Sequence, residues 1–212
     1  MAPKKYLITE LKCVVWLLWE NGQKTLKIHN KKFVYLISPN KILSKDFFKS
    51  LNLVLKSKKV SFFQLRIKRG SYKKKLNIAK KILRICKKNK VKFIINDNPN
   101  LASKIRSDGC HLGQKDMNIS DAKKILKNKI IGITCHNSIK LAKKAQLNGA
   151  SYIAIGAFYK SRTKKVIFRA NLKTLKKIKM SIKLPVVAIG GINEKNYKKL
   201  LLNKADFLAI SS

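Results

Sequence analysis

Apolar and polar positions along this chain follow two alternating periods. From residue 33 onward, short and nearly unbroken apolar runs occur at 33–37 (FVYLI), 60–66 (VSFFQLR), 91–96 (VKFIIN) and 109–112 (GCHL). They recur at 130–134 (IIGIT), 152–156 (YIAIG), 185–190 (PVVAIG) and 207–211 (FLAIS). Runs of this length predict strands buried on both faces, the condition of a parallel sheet. Between them, apolar residues recur at i, i+3, i+4 spacing, as in Leu76, Ala79, Ile82, Leu83 and Cys86, or Leu141, Ala142, Ala145 and Leu147. That spacing predicts amphipathic helices. Eight such strand units predict a (β/α)8 barrel, an α/β fold, over residues 33–212. A doubly wound open sheet is the alternative, but no GxGxxG follows the first strand.

The two ends modify that picture. Residues 1–32 read as a helical extension, in which Leu7, Leu11, Val14, Val15 and Leu18 form one apolar stripe. The sequence stops two residues after Ile210, so the barrel is expected to lack its eighth helix. Strands 8 and 1 are neighbours in a closed barrel, and a helix over residues 6–20 is expected to cover the groove left there. The apolar stretch 13–19 runs for seven residues between Lys12 and Glu20, too short for a membrane span and without a cleavage site for a signal peptide.

Composition then poses a rival. The chain has 212 residues and a formal net charge of +41, from 50 Lys+Arg against 9 Asp+Glu. A 45% hydrophobic content excludes a disordered polybasic tail as the whole molecule. Nucleic-acid binding is the first expectation from such charge. Only 6 of the 50 cations are arginine, however, and the lysines run from Lys4 to Lys204 rather than forming one patch. Arginine's bidentate fork is the better reader of bases and phosphates. The lysines therefore read as a solvated coat, and no specific nucleic acid and no membrane is expected as a partner. Cys13, Cys86, Cys110 and Cys135 form no CxxC pair, and His29, His111 and His136 complete no zinc spacing. Buried free thiols in a reducing cytoplasm are expected.

The polar residues cluster at the C-terminal ends of the predicted strands. Alternation along strand 2 puts Phe63, Leu65 and Ile67 on one face and Gln64, Arg66 and Lys68 on the other. Asn96-Asp97 closes strand 3, and Asp116 follows strand 4. Two carboxylates at adjacent strand exits suit Mg²⁺, which takes one or two carboxylates plus phosphate oxygens and water. The loop after strand 6, residues 157–170, carries Ser161, Arg162, Thr163 and Lys164. Gly190-Gly191 ends strand 7, and Ser211-Ser212 ends strand 8. Barrel enzymes bind phosphate in the loops after strands 7 and 8 and keep their sites at this end. His111 reads as structural.

Taken together, QLRIK (64–68), INDNPNLA (95–102), DGCHLGQKDM (108–117), IGITCHN (131–137), SRTKK (161–165) and PVVAIGGI (185–192) resemble the thiamine phosphate synthase family, within the superfamily it shares with thiazole tautomerases. The block from Asn96 to Asp116 is its most specific part. The resemblance implies a Mg²⁺-dependent transferase joining hydroxymethylpyrimidine diphosphate to a thiazole phosphate, by a dissociative route that releases pyrophosphate. It implies that Gln64, Arg66, Lys68 and Asn96 hold the diphosphate and that Asp97 and Asp116 hold the metal. Arg66, Lys68 and Lys164 would carry the catalytic charge stabilisation. Ser161, Thr163, the Gly191 backbone, Ser211 and Ser212 would hold the thiazole phosphate. Thr134 stands where the family's serine meets the pyrimidine, and Lys160 and Ser161 stand where Pro and Thr are common. The phosphorylated substrates are thus the expected partners, with self-association left open. Two rivals remain: a tautomerase-like enzyme using His136, and a polybasic nucleic-acid binder on a degenerate barrel. An inactive relative is a third reading.

Overall fold

A computed structural model describes residues 32–42, 46–160 and 167–211. The helix expected over residues 6–20 and its covering role lie outside them. Strands and helices alternate without exception: β1 (Val34–Ile37), α1 (Asp46–Lys56), β2 (Val60–Leu65), α2 (Tyr72–Lys88), β3 (Lys92–Asn96), α3 (Pro99–Lys104) and β4 (Gly109–Leu112). The order continues α4 (Ile119–Leu126), β5 (Ile130–His136), α5 (Ile139–Leu147), β6 (Tyr152–Gly156), α6 (Leu172–Ser181), β7 (Val186–Ile189), α7 (Tyr197–Leu202) and β8 (Phe207–Ser211). The strands form one closed barrel in chain order. β8 pairs parallel with β1, with Tyr35 beside Ala209 and Ile37 beside Ser211. The (β/α)8 expectation is met, and the open sheet is not.

Local chemistry explains where the helices start. Ser71, Asn98, Asn118, Ser138 and Asn171 each accept a hydrogen bond at the N-cap of α2 to α6, from a backbone N–H three residues on. Such caps satisfy donors that the first helical turn leaves unpaired. In α2 the predicted stripe is right: Ala79, Ile82 and Cys86 are fully buried, with Leu76 and Leu83 partly so. In α5 it needs correction. Ala142 and Ala145 face the sheet, but Leu147 is 84% exposed, because five residues beyond Ala142 lies on the helix's far side.

Two apolar layers result, one on each side of the sheet. Between strands and helices sit Leu36, Phe63, Leu65, Phe93, Ile95, Leu112 and their partners. Inside the barrel, Tyr35, Ile37, Tyr152, Ala154, Val187 and Ala209 form a separate cluster, with Phe62, Ile130, Ile189 and Phe207 packed on it. The aromatic rings close the interior at the N-terminal end of the strands. Tyr35 stacks on Phe62 at 5.3 Å, and Phe62 meets Phe207 edge-on at 5.1 Å. Full burial of each such side chain contributes roughly 1.5–3 kcal/mol.

Tyr152 fits because β5 has a glycine beside it. A Cβ on Gly132 would come within 1.9 Å of the Tyr152 ring. Substituting Gly132→Ala would displace the ring or the strand. Overpacking of this kind costs about 1–3 kcal/mol. A urea melt of Gly132→Ala is expected to show that loss, and a midpoint matching the wild type would contradict this packing.

Candidate active site

Parallel strands in a ring deliver their C-terminal ends to one rim, and that is where the polar residues gather. β2 ends at Leu65, so Arg66 lies just past the strand rather than inside it as the sequence pattern predicted. Its backbone N–H donates to Ser38 Oγ at 2.9 Å, and its guanidinium donates to Asn40 Oδ1 at 2.7 Å. The segment after β1 thus aims Arg66. Gln64 points into the barrel as expected, is buried, and donates through Nε2 to Asn96 Oδ1 at 2.6 Å. Lys68 stands exposed beyond the strand.

Adjacent strands bring Asp97 and Asp116 together. Asp97 has φ +62°, a left-handed conformation that Asp tolerates better than most residues, and its N–H donates to the His111 carbonyl at 2.8 Å. Asp116 is held by the turn after β4, where its Oδ2 accepts from the Gly113 N–H at 2.7 Å. The two carboxyl groups come within hydrogen-bonding reach of each other. Crowding by protein atoms and then the neighbouring Asp116 push Asp97 up to about 6, while Lys68 and Arg66 pull the other way. Four other aspartates, Asp46, Asp108, Asp121 and Asp206, each pair with a lysine. Among the described residues, Asp97 and Asp116 make no such pair despite the excess of cations.

Below the rim runs a polar column. The Tyr35 and Tyr152 hydroxyls are 2.7 Å apart, His111 Nδ1 is 2.9 Å from the Tyr152 hydroxyl, and His111 Nε2 is 2.9 Å from Thr134 Oγ1. Burial lowers His111 to about 4, against the opposing charge of Asp116, so the ring is neutral near pH 7. Gln114 Nε2 donates to the Thr134 carbonyl. Sequence reasoning took His111 as structural, and the ring proves to be buried between Tyr152 and Thr134; it missed Ser38, Asn40, Gln114, Tyr35 and Tyr152. The two tyrosines carried a signal, since each is a polar-tipped residue in an otherwise aliphatic strand.

The opposite side of the rim is only partly described. Ser161, Thr163, Lys164 and Ser212 lie outside the described residues. Gly191 follows β7 with φ +62°, and a Cβ there would come within 2.3 Å of the Lys160 carbonyl oxygen, so this close approach requires glycine. Ser211 ends β8 beside Ile37. β5 extends past the predicted strand end at 134, through an irregular register between Thr134 and His136. His136 there stacks on Phe168 at 4.2 Å, facing the segment after β6.

A family model for thiamine monophosphate synthase matches residues 34–212. The chain belongs to the thiamine monophosphate synthase family. It is 66% identical over 182 residues to the thiamine-phosphate synthase of Pelagibacter ubique, covering 86% of this chain and 88% of that protein. It is 40% identical over 181 residues to the enzyme of the same name from Clostridium acetobutylicum, covering 84% and 85%. Among solved structures, the thiamine phosphate pyrophosphorylase of Pyrococcus furiosus superposes with a TM-score of 0.74 at 30% identity, covering 87% of each chain.

In this family member the Asp97–Asp116 contact has a stability signature. A carboxyl raised from 3.8 to about 6 contributes stability that is fully present below 3.8 and lost as pH rises through about 6. Asp97→Asn keeps a residue suited to φ +62° and removes a charge that burial and Asp116 both oppose. In chelator, its melting temperature is expected to exceed that of the wild type above pH 6, with the advantage gone below pH 4. An equal difference at both ends of the range would refute a carboxyl raised by burial and by Asp116.

Proposed function

We propose that this chain joins a hydroxymethylpyrimidine diphosphate to a thiazole phosphate, forming thiamine phosphate and pyrophosphate. The observation that carries the reading is the convergence at one rim of the Asp97–Asp116 pair with Arg66 and Lys68 beside it. In the reaction the bond between the pyrimidine methylene and the diphosphate oxygen breaks, and the electron pair leaves with pyrophosphate. The thiazole ring nitrogen supplies the pair for the new C–N bond. An uncharged ring nitrogen needs no general base, which agrees with a site built of cations, amides and carboxylates.

The donor set fits Mg²⁺. Two carboxylates meet without a lysine between them, and among the described residues no group of three or more His, Cys, Asp or Glu side chains forms a fuller cage. One or two carboxylates completed by phosphate oxygens and water is the usual Mg²⁺ arrangement. Bound there, the ion would supply charge neutralisation to a departing diphosphate. Arg66, held by Asn40 and Ser38, and Lys68 stabilise the charge that develops on the leaving group. Gln64 and Asn96, bonded to each other, orient the diphosphate end. Thr134 meets the pyrimidine. By the family resemblance, Lys164 joins the cations, and Ser161, Thr163, the Gly191 backbone, Ser211 and Ser212 hold the thiazole phosphate.

A cytoplasmic setting accords with Cys86, Cys110 and Cys135, which are free and buried. No helix among the described residues is long and apolar enough to cross a membrane.

Purified protein, Mg²⁺ and both phosphorylated halves test the reading directly. Turnover is expected, and its absence would overturn the assignment. Arg66→Ala is expected to lower kcat/KM by at least about 10²-fold, the scale of losing a transition-state charge partner, while a thermal melt stays near the wild type. Full activity in that variant would remove Arg66 from the site. Protons compete with the metal for Asp97, so the Mg²⁺ affinity read by calorimetry is expected to fall as pH drops through about 6. A pH-independent affinity between 5 and 8 would argue against Asp97 as a ligand.

A further inference from the structure

The polar column inside the barrel has a direction. Four groups follow one another up from the aromatic floor: the Tyr35 hydroxyl, the Tyr152 hydroxyl, the His111 ring and the Thr134 hydroxyl. Tyr35, Tyr152 and His111 are 2%, 3% and 8% exposed. Among the described residues, Tyr35 Oη has Tyr152 as its one hydrogen-bond partner. A buried hydroxyl proton left without an acceptor gives up its hydrogen bond to water and gains none in return.

That constraint decides which way each bond runs. If His111 carries a proton on Nδ1, it donates to the Tyr152 oxygen, and the Tyr152 proton must go to Tyr35. The Tyr35 proton then has no acceptor. A doubly protonated His111 meets the same obstacle, since it also has an Nδ1–H. The remaining arrangement satisfies every donor. Tyr35 donates to Tyr152, Tyr152 donates to His111 Nδ1, and His111 Nε2–H donates to Thr134 Oγ1. Thr134 already accepts on its barrel side, so its own proton turns to the mouth, where the side chain is half-buried and meets no protein acceptor among the described residues.

We infer that Tyr35 and Tyr152, acting through His111, fix the Thr134 hydroxyl as a hydrogen-bond donor toward the barrel mouth, so that the substrate atom seated on it must be an acceptor, such as an unprotonated ring nitrogen. The tyrosines are positioning residues, because neither needs to touch substrate. The relay selects by chemistry as well as by shape. A ligand presenting an N–H at that point would face a second donor and leave both unpaired. The identity of the acceptor as a pyrimidine nitrogen rests on the synthase reading, but the direction of the relay does not.

Nitrogen-15 spectra of histidine-labelled protein read the direction without turnover, with His111 assigned by elimination through His29→Gln and His136→Gln. The expected result is an unprotonated Nδ1 and a protonated Nε2 on His111 across neutral pH. Tyr35→Phe is expected to keep that tautomer, since Tyr152 still donates, whereas Tyr152→Phe is expected to give a mixture. In kinetics, Thr134→Val is expected to raise KM for the pyrimidine diphosphate about tenfold, the value of one hydrogen bond. Inhibition by inorganic pyrophosphate should stay unchanged, and Thr134→Ser should recover the loss. A proton on Nδ1 in the wild type, or an unchanged KM in Thr134→Val, overturns the proposal. The wild-type spectrum decides the relay even if Tyr152→Phe fails to fold. An inactive wild type with the expected spectrum would count against the synthase reading and not against the relay.

Discussion

The pairing of β8 with β1 is the constraint on which the rest depends. Four backbone register partners, from Val34 with Leu208 to Ile37 with Ser211, close the sheet into a ring. Once the ring closes with all strands parallel, every C-terminal strand end lies on the same rim and every strand has two fixed neighbours. Residues far apart in sequence then meet through adjacency alone. Gln64 reaches Asn96 because β2 lies beside β3, Asp97 meets Asp116 because β3 lies beside β4, and His111 reaches Thr134 because β4 lies beside β5. No long loop is needed to assemble these pairs.

The same geometry separates structural from chemical residues by face. Outward side chains such as Phe63, Leu65 and Ile95 bind strands to helices, and inward ones such as Gln64, His111 and Thr134 are free to be polar. Every inward polar group described above has a partner, as burial requires. The exception in character is the Asp97–Asp116 pair, two like charges brought together at the rim. Such a contact disfavours the folded chain and persists where the surrounding backbone holds both residues, here through the His111 carbonyl and the Gly113 N–H.

Most of this was legible in the sequence, and the parts that were not have physical reasons. Eight apolar runs spaced by helical patterns give the strand count and order, because burial on both faces writes the same signal at each strand. The inward face of Gln64 and the Asp97 and Asp116 positions follow from strand period and adjacency, whereas Arg66 and Lys68 lie beyond the end of β2, where strand alternation no longer applies. Strand ends were harder: β5 runs past Thr134 to His136 through an irregular register with β6. Leu147 was misassigned because it stands five residues beyond Ala142, outside the i, i+3, i+4 spacing that marks the buried face. Tyr35 and Tyr152 were overlooked because an aromatic in an apolar strand reads as core, and only three-dimensional contact reveals that its hydroxyl has a partner. The high charge says little about the placement of the few carboxylates. Four described aspartates each pair with a single lysine, and the remaining two, Asp97 and Asp116, face each other.

The aromatic floor has a further meaning for traffic. Tyr35, Phe62, Tyr152 and Phe207 shut the N-terminal end of the barrel, and the Gly132 notch lets the Tyr152 ring fill it. The interior is therefore a cup and not a tube. With that end filled by rings, the inward Gln64 and Thr134 side chains face the C-terminal rim alone. A closed bottom thus leaves the rim as the way in and the way out.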